Sequence, residues 1–341
     1  MSDGFAEEPP STARPTRPPA EANGGGDREE LLTLYRMLAE AVAQVEMNYA
    51  GSVDRRKLFE SAIEGMLGEL DPYSRYLGPE ELAKYQQRFA SPRKETPNAT
   101  VFGSKRDADG KWVYRVREQP RIAYVGVASF NGSTAEELSR ALDVLKRRGV
   151  DGLVLDLRSN AGGLLTAAVD AADLFLSKGA IVTTQGRNTK RRAWNASPGG
   201  RCENLPLAVL VDRYSASGAE VVAAALQDNR RATVVGERTW GKGSVQNVFE
   251  IDGGRSAMKL TTASYHRPSG INIHRFPGFT EEDAWGVSPT PRWRLSVEDE
   301  ERRGVMKRRA SLLAEGEGAG EPVVDRQLDS AVKAVLERLA P

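Results

Sequence analysis

From Ile122 to Glu237 the chain alternates short apolar runs with segments in which apolar residues recur every three or four positions. "IAYVGVASF" is a strand, and Thr134 to Arg148 is a helix with Leu138, Ala141, Leu142 and Leu145 on one face and Gly149 at its end. "DGLVLDL" is nearly continuous in apolar residues, as a strand covered by helices on both faces has to be. The tight loop "SNAGG" then leads into an apolar helix, Leu164 to Leu176. The strand "AIVTT" precedes a polar excursion, Arg187 to Gly200, whose "NTKRR" reads as a solvated loop. The buried strand "LPLAVLVD", a helix from Ser217 to Asn229 and the strand "ATVVGE" complete a β-α-β-α-β-β-α-β series. Such a series specifies an α/β fold with a layered core. Strand-like "SVQNVFEI" and "SAMKLTTASY" follow it.

Around this core the patterning changes. Residues 1–28 are rich in Pro, Gly, Ser, Glu and Arg and cannot bury enough apolar surface to offset ordering entropy, so they are expected to be disordered. Residues 29–90 form an N-terminal helical unit. Its first helix runs Glu29 to Tyr49 and its second about Val53 to Leu70; Asp71-Pro72 stops the second, and Pro79 opens a third. Residues 91–120 are a short linker with a hairpin turning at Asp109-Gly110. The core is placed at 121–295. A C-terminal helical tail, 296–341, ends in a helix from Asp325 to Leu339 with Leu328, Val332, Val335 and Leu339 in one stripe.

Composition removes several classes of function. A net charge of +1 over 341 residues gives no reason to expect nucleic acid or an anionic membrane surface as partner. One cysteine, Cys202, forms no internal disulfide framework. Its place in a polar loop, with neither histidine expected near it, argues against a cysteine nucleophile. His266 and His274 lack the spacing of a zinc-ligand motif, so no metal and no cofactor are expected. No apolar run has the length of a transmembrane span, and the N-terminus lacks the basic-then-apolar pattern of a secretory signal. The sequence assigns neither compartment nor oligomeric state.

Two stretches can carry chemistry. In "DRYSASGAEVVAAALQDN" a buried strand ends at Asp212 and a helix begins near Gly218. Ser217-Gly218-Ala219-Glu220 fits an S-x-x-E capping box. The same junction suits a nucleophile: the N–H of Gly218 would point where an oxyanion forms, at the helix end that favours negative charge. A serine needs a base, and two histidines supply a Ser-His-Asp triad only thinly. Lys242, flanked by Gly241 and Gly243, could serve if burial brings its pKa from about 10.4 toward neutrality; otherwise it is an exposed loop lysine. Gln246, four residues on, could hold the amine without adding charge, or be an ordinary polar strand residue. In "LDLRSNAGGLL", Asp156 and Arg158 end a strand and Gly162-Gly163 precede a helix. This is a tight βα turn, or a turn in which one glycine N–H supplies a second oxyanion donor at the sheet's carboxyl edge.

"GERTWGKG" also fits most of a phosphate-binding loop. Gly243 stands where that motif needs Ser or Thr, and a strand follows where it needs a helix, so no nucleotide is expected.

Taken together, "GMLGELDPYSRYLGPEE", "YVGVASFNGSTAEEL", "GLVLDLRSNAGGLLTAAVDAADLFL", "VLVDRYSASGAEVVAAALQDNRRATVVGERTWGKGSVQ" and "MKLTTASYHRPSG…GVSPT" resemble, in order, the carboxy-terminal processing (tail-specific) serine proteases, peptidase family S41. The resemblance implies a crotonase/ClpP-like layered core. It also implies a serine endopeptidase that hydrolyses unstructured protein segments or tails through an acyl-enzyme. Ser217 falls on the nucleophile, Lys242 on the base and Gln246 on the glutamine that orients it. Gly218 falls on one oxyanion donor, and Gly162 or Gly163 on the other. Family members usually insert a PDZ domain of some eighty residues before the core, and are usually exported. Here only 91–120 fill that gap, which leaves the recognition of free C-termini open. A non-catalytic peptide-binding scaffold on the same fold is the alternative.

Overall fold

The computed structural model describes residues 25–90, 100–116, 119, 121–314 and 323–339. Most of the stretch expected to be disordered, and the first part of the linker, lie outside the described residues. The chain divides into two compact units, and between them the chain passes at 245/246 and 261/262, each within a strand.

The smaller unit contains described residues 25–90 and 246–261. Helices α1 (Gly25–Asn48), α2 (Arg55–Gly68) and α3 (Pro79–Ala90) stand where two apolar stripes and the Pro79 start signal placed three helices. Asp54 caps α2 by accepting the Lys57 N–H at 3.2 Å. Past the end of α2, Asp71 Oδ1 accepts the N–H groups of Tyr73 and Ser74 at 2.7 and 2.8 Å. That turn delivers an unanticipated strand, β1 (Arg75–Leu77), which pairs antiparallel with residues 257–259. Leu77, Leu82, Tyr85 and Ala257 form the small core there.

The larger unit opens with β2 (Val101–Phe102) and the expected hairpin, β3 (Lys105–Arg106) and β4 (Trp112–Val113). Its main sheet contains β5 (Ile122–Val127), β6 (Gly152–Asp156), β9 (Leu207–Val211) and β10 (Thr233–Gly236). These four are parallel in the order β10-β9-β6-β5, and β2 pairs antiparallel at the β5 edge. Helix α4 (Thr134–Arg147) connects β5 to β6, and α6 (Gly218–Asp228) connects β9 to β10. Between β6 and β9 lie α5 (Leu165–Asp173), β7 (Ala180–Gln185) and β8 (Arg192–Asn195).

Alternate residues of the parallel strands face opposite layers, as strand geometry requires. Ala123, Val125, Leu153, Leu155, Val209 and Val234 pack with α4, α5 and α6. Ile122, Tyr124, Val154, Ala208, Leu210 and Val235 pack instead with Ala331, Val332, Ala334 and Val335 of α8 (Arg326–Leu339). The stripe on α8 is rotated from the expected one: Leu328 is only partly buried and Leu339 is 39% exposed.

Three further elements depart from expectation. The strand "AIVTT" leaves the parallel sheet and, as β7, pairs antiparallel with β8 and with residues 264–266 of β12 (Ser256–His266). The polar excursion therefore contains a strand, β8, between exposed turns. β11 (Ser244–Ile251) pairs with β12. Helix α7 (Asp299–Leu313) has no apolar stripe; its buried residues are Arg302, Val305 and Arg309. Arg302 pairs with Glu237 at 3.0 Å, and Arg309 donates to the carbonyl of Arg158. Buried guanidinium groups fasten this helix where leucines would normally do so.

Candidate active site

Ser217 stands between β9 and α6, and Lys242 follows β10, the parallel neighbour of β9. The sheet therefore brings the two loops to one edge. Both residues are buried, with exposures of 1% and 2%. Ser217 has φ 55° and ψ −114°, a strained conformation for a residue with a Cβ. Strain of this kind is found where a side chain must be aimed at a sharp strand-to-helix turn.

Ser215 is tied into the turn: its Oγ accepts the Asp212 N–H at 3.0 Å and lies 2.8 Å from the Leu157 carbonyl. Asp212 in turn accepts the N–H and Oγ–H of Ser159, both at 2.8 Å. Ser215 and Asp212 thus lock the turn after β9 to the loop after β6.

Glu220 joins the serine turn to the lysine loop. Its Oε2 accepts the backbone N–H of Ser217 and that of Lys242, each at 2.8 Å. The two nitrogens can thus be no further apart than twice that distance. Its Oε1 accepts the Gly241 N–H at 2.7 Å and the Thr239 Oγ–H at 2.5 Å. Thr239 Oγ1 also accepts the Val287 N–H at 2.8 Å, which ties the segment 285–287 to the same cluster. Burial pushes the Glu220 carboxyl up to about 7, against the pull of these four donors. The sequence marked Glu220 only as half of a capping box. Its bond to Ser217 N–H is that half; the bonds to 239, 241 and 242 had no local signal, because their partners lie on a different loop.

The glycines beside Lys242 admit close neighbours. A Cβ on Gly243 would lie 2.3 Å from the backbone nitrogen of His274, and one on Gly241 would lie 2.8 Å from Arg275 Cβ. After Lys242 the chain runs directly into β11, without the helix that a phosphate loop requires. Gln246 is buried, and its amide donates to Thr261 Oγ1 at 3.3 Å. His266 bonds Ser264 Oγ at 3.1 Å and the Gly270 carbonyl at 3.3 Å.

The loop after β6 lies against the serine. A Cβ on Gly162 would sit 2.8 Å from Ser217 Cβ and 2.9 Å from the nitrogen of Gly218. The Gly162 N–H donates to Asn160 Oδ1 at 2.8 Å, and its carbonyl accepts the Phe130 N–H at 2.9 Å. Gly163 has φ 147°, and a Cβ there would meet the Phe130 carbonyl oxygen at 1.9 Å, so only glycine fits.

Asp156 and Arg158 lie behind this loop in a buried ion cluster. Arg158 contacts Asp156 at 2.7 Å and Asp325 at 2.8 Å, and Tyr124 donates to Asp156 at 2.8 Å. Burial alone would raise the Asp156 carboxyl, but the guanidinium groups of Arg158 and Arg309 outweigh it and hold the carboxyl at about 2.

Comparison with known proteins gives the family of the chain. The model of peptidase family S41 matches residues 121–283, and that of the activating protease CtpB N-terminal domain matches residues 15–81. A carboxy-terminal-processing protease of Bartonella bacilliformis is 30% identical over 88% of each chain. That alignment runs over 385 positions, so the relative carries residues within it that this 341-residue chain lacks. The carboxy-terminal processing protease CtpA of Bacillus subtilis is 28% identical over 71% of this chain and 67% of its own. A carboxyl-terminal-processing protease of Synechocystis is 41% identical, but the match covers 45% of this chain and only 36% of the relative. Among solved structures, the photosystem II D1 C-terminal processing protease superposes with a TM-score of 0.56 over 79% of this chain and 93% of its own, at 23% identity, a likeness of fold. With identity sustained across nearly the whole of one relative, and the family model laid over the loops that carry Ser217 and Lys242, this chain belongs to peptidase family S41, among the carboxy-terminal processing proteases.

Proposed function

We propose that the protein is a serine endopeptidase acting on unstructured protein segments or tails, with Ser217 as nucleophile and Lys242 as general base. One observation carries the reading: a buried serine in a strained turn and a buried lysine on the neighbouring loop have backbones held by one carboxylate oxygen. Neutral Lys242 takes the hydroxyl proton as Ser217 Oγ attacks the peptide carbonyl. The oxyanion is received by the N–H of Gly218, which at the first position of α6 has no partner within its helix. We assign the second donor to Gly163, because the N–H of Gly162 is already given to Asn160. The lysine ammonium then returns the proton to the leaving amine, and water, activated by the same amine, releases the acyl group. Gln246 follows Lys242 on β11 and enters this reading from the family resemblance.

Ser217→Ala and Lys242→Ala should each remove cleavage of casein, by about 10³-fold or more, with far-ultraviolet circular dichroism unchanged. Undiminished cleavage in either variant would reject the dyad. Peptide binding without turnover by the wild-type protein would favour the scaffold alternative.

A further inference from the structure

We infer that Glu220 is a positioning residue for the dyad, a clasp that holds the nucleophile's backbone and the base's backbone in register. The inference rests on the Ser217–Lys242 reading and extends it to a residue outside the chemistry.

Glu220 is fully buried and accepts four hydrogen bonds, three from backbone N–H groups and one from a hydroxyl. Each of its oxygens takes two. The Oε2 pair comes from two different loops, Ser217 before α6 and Lys242 after β10. A helix cap would require only the first. The remaining donors, Thr239 and Gly241, lie on the lysine loop, so three of the four bonds serve that loop. Thr239 carries the constraint onward through the Val287 N–H. Close behind it, a Cβ on Gly286 would lie 2.8 Å from Thr239 Oγ1 and 3.3 Å from Glu220 Oε1, so that side leaves no room for slack.

The donor pattern calls for a carboxylate. An amide in its place would present an NH₂ group to one of the two donor pairs. Turned so that its oxygen keeps Ser217 and Lys242, it could still donate to Thr239 Oγ1, but its nitrogen would oppose the Gly241 N–H. Glu220→Gln is therefore shaped to fold while loosening the lysine loop by one bond. The groups that meet the carboxylate are the Ser217 N–H just before its own helix and the Thr239 hydroxyl and the Gly241 and Lys242 N–H groups of the loop, with Gly286 and Val287 behind.

The test compares wild type, Ser217→Ala, Glu220→Gln and Thr239→Val in steady-state cleavage of casein, and in amide hydrogen exchange at residues 217, 241 and 242. Glu220→Gln should lower kcat by about a hundredfold with KM little changed, as misplacement of a reacting group does. Thr239→Val, which removes one donor and leaves three N–H groups in place, should lower kcat by about tenfold. Exchange at Gly241 and Lys242 should accelerate in Glu220→Gln relative to wild type. Wild-type kcat in Glu220→Gln, or unaltered exchange at both amides, would overturn the clasp. If Ser217→Ala is inactive while Glu220→Gln is not impaired, the clasp falls and the dyad stands; if Ser217→Ala cleaves normally, the dyad itself is wrong. Should Glu220→Gln not fold, Thr239→Val decides on the same readouts, and a wild-type kcat there rejects the inference.

Discussion

Asp156, the last residue of β6, and Glu220, in the first turn of the helix that follows the neighbouring strand β9, are both fully buried carboxylates, yet their surroundings treat them in opposite ways. Asp156 faces the guanidinium groups of Arg158 and Arg309 and is held at about 2. Glu220 is met by backbone N–H groups and one hydroxyl, and burial raises it to about 7. Full opposing charges compensate desolvation; dipoles do so only in part. The first environment makes a fixed bracket, which holds the loop after β6 to α7 and α8. The second leaves a titratable group in contact with the two loops of the candidate dyad. Durable structure and adjustable chemistry are thus separated across one sheet.

The contrast can be broken most forcefully at Asp156. Asp156→Asn leaves Arg158 and Arg309 buried with one carboxylate fewer, and should cost about 3–5 kcal/mol of stability. Urea denaturation measures it, and a loss below about 1 kcal/mol would mean that the bracket is dispensable.

A smaller effect separates the two groups by pH. The Glu220 carboxyl moves from an ordinary 4.5 up to about 7, so between these values the folded chain holds a proton that the unfolded chain has lost. Its contribution to stability is therefore complete below pH 4.5 and disappears as pH rises through 7. Asp156 runs the other way: lowered from 3.8 to about 2, it contributes fully above 3.8 and fails only as pH falls through 2. Between pH 5 and pH 7 the stability of wild type should therefore fall relative to Glu220→Gln, at no more than about 1.4 kcal/mol per pH unit. Parallel urea titrations at the two pH values check this. A difference between the proteins that does not vary with pH would place the Glu220 carboxyl at its ordinary value.

What the sequence made legible follows the same division. The parallel strands could be read because apolar runs such as "GLVLDL" and "LAVLV" have one explanation, burial on both faces. Ser217 and Lys242 could be singled out because a strand-to-helix serine and a glycine-flanked lysine are unusual locally. The buried face of helix α7 could not be read, since its buried residues include Arg302 and Arg309, which look like solvent-facing charge until Glu237 and the Arg158 carbonyl are known to lie opposite. β8 was hidden in the same way by its arginine and asparagine. The wider role of Glu220 escaped because its partners lie up to 22 positions away, beyond the reach of any spacing rule for a helix cap.

The central claim, a serine at 217 activated by the lysine at 242, is tested most directly by covalent labelling. The protein would be treated with a fluorophosphonate across pH 6 to 10, and the modified residue located by peptide mass spectrometry. The account predicts a single modification at Ser217, at a rate that climbs with pH and is lost in Lys242→Ala. Modification at Ser215, or labelling of Ser217 that proceeds at the same rate without Lys242, would contradict it.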